Sequence, residues 1–241
     1  TGHVYRAVRG VTRAVGGGLD ALLGQLAPLV ADVPDTSSRE ALVAALNGVL
    51  GDYLARTANP LAIAMRMRRD GVPLGLERDA LAARVTRPSS TLVLAVHGLC
   101  MNDLQWSRAG HDHAEALARD LGGTAVYLRY NSGLHVSTNG RELAALLEAL
   151  VDAWPVPVAR IVVLGHSMGG LVARSAAHYG GLAGHRWRTV LESLVFLGTP
   201  HQGSPLERSG HGLNQLLDAL PFATPLGRLG RVRSAGITDL R

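Results

Sequence analysis

The sequence has no lysine, one cysteine, few aromatics and no long apolar run, and each shortage narrows what the chain can be. With Cys100 alone, an intrachain disulfide is impossible, and the thiol reads as a small packed side chain. Aromatic residues make up 4% of the 241 positions, and the arginines are dispersed apart from Arg66-Met67-Arg68-Arg69. Nucleic-acid binding needs a basic stripe with stacking rings, so the formal charge of +5 does not point there. That charge leaves open a weak peripheral attraction to anionic membrane or lipid surfaces. The longest strong apolar run, around 190–197, is far short of the roughly 18 residues a membrane-spanning helix requires. His111 and His113 form an H-x-H pair without further ligands, so no metal and no cofactor is implied. All basic residues are arginine and the chain is rich in Ala, Leu and Gly, a bias typical of a GC-rich genome. Neither a signal peptide nor a disulfide is visible, which favours a soluble cytoplasmic protein. The first residue is Thr1 rather than Met, so a removed leader stays open.

The composition that remains, 47% hydrophobic and 18% charged, is that of a globular chain able to bury a full core. Apolar residues recur at helical spacing over 4–30, interrupted by Gly16-Gly17-Gly18. Ser37 and Glu40 read as a capping box for a second helix, with Leu42, Leu46, Val49, Leu50, Tyr53 and Leu54 along one face. A further helical stretch is predicted over 61–69, with turns at Asp70-Gly71 and Pro73. Residues 1–86 are thus expected to form a helical N-terminal segment that packs on the core or caps it. From 87 to 241 strand and helix alternate: strands over 91–97, 124–130, 160–164 and 189–197, and helices over 111–121 and from Asn139, with Glu142 completing its cap, to Pro155. Such alternation predicts an α/β fold with a doubly wound, mostly parallel sheet.

The chemistry concentrates at Gly165-His166-Ser167-Met168-Gly169, between an apolar strand and a helix-like run. A sharp strand-to-helix turn lifts a serine hydroxyl out of the sheet, and flanking glycines let strand and helix approach in that crowded turn. The pattern alone is weak, so its context carries the inference. A second strand ends in His97-Gly98-Leu99, whose backbone would form an oxyanion loop, the N–H groups of Leu99 and Met168 facing one oxygen. Leu197-Gly198-Thr199-Pro200-His201-Gln202-Gly203-Ser204 adds a G-T-P-H-x-G-S segment after the next strand. Together these segments resemble the α/β-hydrolase superfamily, in its lipase and esterase branch with bacterial triacylglycerol lipases and GPI inositol-deacylase-like hydrolases. The resemblance covers about 90–204. It implies a serine carboxylic-ester hydrolase with Ser167 as nucleophile, Leu99 and Met168 as oxyanion donors, and His97, Gly98, Gly165, His166 and Gly169 supporting the motifs. The implied partner is a small-molecule or lipid ester.

A serine nucleophile needs a base and an orienting acid, which in this fold follow it in the order acid, then histidine. Between Ser167 and the last histidine, His211, the acids are Glu192, inside a strand, and Glu207, and neither is well placed. Asp218 and Asp239 come after it. The expectation is therefore that the triad acid and histidine are not in this chain and lie beyond Arg241, with His201 the best fallback base. Residues 202–233, with Leu213, Leu216, Leu217 and Leu220 at helical spacing, read as a cap-like insertion suited to an apolar acyl group. Two other functions fit the same residues: an acyltransferase or thioesterase using Ser167, and a catalytically dead acyl-binding module.

Overall fold

In the computed structural model, which describes residues 36–203 and 234–240, the strands that follow the first 90 residues pair as the alternation predicts. The elements are α1 (Thr36–Arg56), β1 (Arg66–Arg69), β2 (Val72–Pro73), α2 (Arg78–Arg84), β3 (Thr91–Val96), β4 (Ser107–Arg108), β5 (His111–Asp112), α3 (His113–Asp120), β6 (Thr124–Arg129), α4 (Val136–Ala153), β7 (Arg160–His166), α5 (Met168–Leu182), β8 (Leu191–Leu197) and α6 (Ala235–Thr238). Six strands form one sheet in the order β2-β1-β6-β3-β7-β8. β6, β3, β7 and β8 run parallel, while β1 and β2 add an antiparallel hairpin at one edge. A parallel strand covered on both faces reads as a continuous apolar run, and β3 is buried at all its positions. Its alternate side chains enter two cores: Leu92, Leu94 and Val96 meet α1, α4 and α5, whereas Val93 and Ala95 meet Ala114 and Ala118 of α3.

Three local expectations are corrected. Residues 66–69 are strand, not helix, because Asp70 and Gly71 take φ of 52° and 70° and close a two-residue hairpin turn. Met67 then pairs with Leu128, and this pairing outweighs any helical spacing. Ser37 lies inside α1 rather than capping it, and Glu40 turns outward to accept from Arg129 at 2.7 Å and Arg68 at 3.4 Å. Asn139 likewise sits within α4, buried, with its amide donating to the Asn131 carbonyl at 3.0 Å. The N-terminus of α4 is held instead by the Asp239 carboxylate, which accepts from Val136 N–H at 2.7 Å. A cap contributed from a hundred residues away leaves no local sequence signal.

α1 is fastened to the loops at the carboxyl ends of β3 and β6, with Gly48 against Cys100 and the Gly51 carbonyl accepting from the Asn131 amide at 2.9 Å. Its residues Leu46, Val49, Leu50 and Leu54 are buried, and Asn47 donates to the Leu61 carbonyl at 2.7 Å while accepting from Ile63 N–H at 2.9 Å. The helices expected over 4–30 lie outside the described residues, as do Glu207, His211, Asp218 and the leucines of the expected cap at 202–233. Among the described residues no helix is long and apolar enough to cross a membrane.

Candidate active site

β7 carries five consecutive buried residues to His166, and the chain then turns so sharply that Ser167 has φ 51° and ψ −124° before α5 begins at Met168. A non-glycine residue in that region is strained, and such strain persists only where surrounding structure over-determines it. Here Ser167 N–H donates to the Leu197 carbonyl at 2.8 Å, and the Ser167 carbonyl accepts from Gly170 N–H at 3.1 Å. The flanking glycines are needed for approach. A Cβ on Gly165 would lie 2.6 Å from Gly170 Cα, and one on Gly169 would strike the carbonyls of Val96 and His97.

The two sequence motifs meet in space. At the end of β3, a Cβ on Gly98 would stand 3.2 Å from Ser167 Cβ and 3.0 Å from His166 Nδ1. Leu99 and Met168 are both buried beside this contact. Met168 occupies the first helical position, where a backbone N–H has no intrahelical acceptor. The third motif also touches α5: Thr199 packs on Gly170, so a side chain at 170 would collide with it.

The histidines have different surroundings. His97 is buried, stacked on Tyr130 at 4.3 Å, with Nδ1 2.9 Å from the Gly98 carbonyl and Nε2 accepting from Tyr130 N–H at 3.4 Å. Both nitrogens are therefore used by backbone, as a neutral ring donating from Nδ1 allows. Burial, first of all, pushes its pKa down to about 4, with the Arg129 charge adding to the effect and the Gly98 bond opposing it. His166 is half-buried, edge-on to Trp106 at 6.4 Å, and burial lowers its pKa too. Its Nδ1 is buried without a hydrogen-bond partner. His201 Nδ1 accepts from Arg174 at 2.8 Å, and its ring meets Phe196 edge-on. Glu192 is exposed on β8 and pairs with Arg160 at 3.6 Å. Among the described residues the acid and histidine that meet are Asp239 and His135, at 3.0 Å. They line a surface groove with Arg174 and His178, and no hydrogen bond ties them to Ser167. His111 and His113 stack edge-on, and the described residues hold no group of three or more metal-ligating side chains.

Two residues that shape the site were not singled out from sequence. Tyr130 donates its hydroxyl to the His97 carbonyl at 2.8 Å, and Ser132 accepts from Cys100 N–H at 3.0 Å. Their one sequence signal is the polar Asn131-Ser132-Gly133 turn directly after a strand.

A mostly parallel sheet with a strained serine between a central strand and the helix that follows it defines the α/β-hydrolase class. Within that class the chain belongs to the family of PGAP1-like alpha/beta domains, whose family model matches residues 87–238, well over half of the sequence. No curated protein matches. Similar solved structures include Bacillus licheniformis lipase BlEst2 in its mature form, with 24% identity, a TM-score of 0.45, and coverage of 65% of this chain and 58% of the lipase. The propeptide form of that lipase matches at 25% identity and a TM-score of 0.44, covering 65% and 31% respectively. The chain thus spans under two thirds of either.

Proposed function

We propose that the chain carries the nucleophile and oxyanion donors of a serine hydrolase acting on carboxylic esters of apolar acyl groups. Ser167 Oγ attacks the ester carbonyl, the alcohol departs, and water later releases the acyl group from the serine. The N–H groups of Leu99 and Met168 hold the negative oxygen of each tetrahedral intermediate, acting where charge develops. A histidine and its acid from outside the described residues move the proton. Among the described histidines His97 is a poor base, because both its nitrogens are spent on backbone.

The observation that carries this reading is the strained Ser167 backbone with Gly98 pressed against its Cβ. A serine serving only to cap a helix needs neither feature. Membership of a hydrolase-like α/β family adds weight, although a fold hosts many activities.

The test is labelling of the full-length protein by a fluorophosphonate probe, together with hydrolysis of a short nitrophenyl ester. One adduct on Ser167, and a drop of roughly 10⁴-fold or more in kcat for Ser167→Ala, are expected from the loss of a nucleophile. Absence of both labelling and turnover would favour an acyl-binding module.

A further inference from the structure

The loop that supplies the Leu99 N–H contains a second strained residue. Cys100 has φ 59°, a region that side chains with a Cβ rarely occupy, so something must hold it there. Two contacts do. On one side Cys100 N–H donates to Ser132 Oγ at 3.0 Å, with both residues almost fully buried. On the other side α1 lies so close that a Cβ on Gly48 would stand 2.9 Å from both the N and the Cα of Cys100.

Ser132 is itself fixed from three directions. The neighbouring Asn131 donates from its amide to the Gly51 carbonyl of α1 at 2.9 Å and accepts from Gly133 N–H at 3.0 Å. Asn139 of α4 donates to the Asn131 carbonyl, and Gly236 N–H donates to the Gly133 carbonyl at 3.0 Å. The turn that carries Ser132 is therefore held in place beneath the Cys100 N–H.

We infer that Ser132 is a positioning residue for the oxyanion loop: by anchoring the Cys100 N–H it sets how the Leu99 N–H is aimed. This inference rests on the Ser167 reading proposed above. The physical link is the planar Leu99–Cys100 peptide. Holding its N–H end toward Ser132 restrains that plane, and so the ψ of Leu99 that relates it to the preceding peptide, which carries the Leu99 N–H. Without the hydroxyl, the buried Cys100 N–H loses its acceptor and the residue relaxes from its left-handed conformation, turning the loop. Ser132 acts only through Cys100, and a misplacement near 1 Å in such a site can cost about 100-fold in rate.

The experiment compares Ser132→Ala and Ser132→Thr with the wild-type full-length protein, on ester turnover and on affinity for a trifluoromethyl ketone that mimics the tetrahedral intermediate. Ser132→Ala is expected to lower kcat by about 10- to 100-fold with KM changed less than twofold, and to weaken the ketone by a similar factor. Ser132→Thr keeps the acceptor and is expected to stay within about threefold of wild type. Thr124→Val is the control, since Thr124 Oγ1 accepts from Ser89 N–H at 3.0 Å at the opposite end of β6. It should lose stability with kcat within twofold. If Ser132→Ala does not fold, Ser132→Cys, kept in reductant, replaces the hydroxyl by a weaker acceptor of similar shape, and a kcat loss of about 3- to 10-fold is expected. Ser132→Ala, or in that event Ser132→Cys, with wild-type kcat and ketone affinity but a lowered Tm would overturn the inference. Wild-type protein showing neither turnover nor Ser167 labelling overturns the catalytic reading first, before any change at 132.

Discussion

His97, at the end of β3, spends both ring nitrogens on backbone groups. Burial holds its ring neutral against the opposing pull of the Gly98 bond, so folding must exclude the protonated form. The folded pKa, about 4, is depressed from 6.5, so between those values the unfolded chain binds the extra proton. Stability from this residue is therefore fully present above about pH 6.5, falls as pH drops toward 4 and levels below it, a loss on the order of 3 kcal/mol. Urea unfolding across pH 7 to 4 should show that component in wild type and lack it in His97→Gln, whose own stability is lower throughout. Gly98 makes a second point at this scale. Gly98→Ala places a methyl 3.2 Å from Ser167 Cβ, so the serine must shift by a few tenths of an ångström. A fall in kcat of about tenfold or more with Tm nearly unchanged is expected, read by ester kinetics and thermal melts on the same sample.

At the scale of elements, the hairpin β1-β2 and helix α1 are joined by charge rather than by apolar contact alone. Arg68 is buried and donates to Asp103 at 2.8 Å, while Glu40 bridges it to Arg129. Asp103→Ala strips the nearest carboxylate from a buried guanidinium and should cost about 3–5 kcal/mol in denaturant unfolding. The double change Arg68→Met with Asp103→Leu should recover most of that loss, since a well-packed apolar pair can replace a buried ion pair. This ion pair also explains what was hidden in the sequence. β3, β6 and β7 were legible because strands buried on both faces need near-continuous apolar runs, and β8, none of whose residues is buried, because its short run is rich in strand-favouring residues and ends at the Gly198 turn. β1 was not, because Arg66-Met67-Arg68-Arg69 is a strand whose charges are neutralised by residues far along the chain. The start of α4 was misread for the same reason, its cap being Asp239. In the site, Ser167, Gly98 and the glycines could be named because a sharp turn restricts residue types locally. Ser132 and Tyr130 escaped because a hydrogen bond to a distant backbone group places no demand on neighbouring residues.

Across the whole molecule, the sheet that presents Ser167 depends on residues preceding the part matched by the family model. β1 covers the edge of β6, and α1 buries Leu46, Val49, Leu50 and Leu54 against the same core as α4 and α5. We propose that residues 36–86 are a component of this core rather than a detachable cap. A chain beginning at residue 87 should therefore aggregate or melt without cooperativity, whereas the full chain should show a single transition, as size-exclusion chromatography and circular dichroism would show.

The sole thiol of the chain lies beneath α1, its Sγ facing the Ala45 carbonyl and its backbone against Gly48. Burial pushes its pKa up to about 12, so in the closed state almost no thiolate exists to react. A disulfide reagent can then modify it only when that helix lifts away. At reagent concentrations where modification outpaces reclosing, the labelling rate equals the opening rate, so the chain carries its own clock for how often the roof over the loop after β3 comes off.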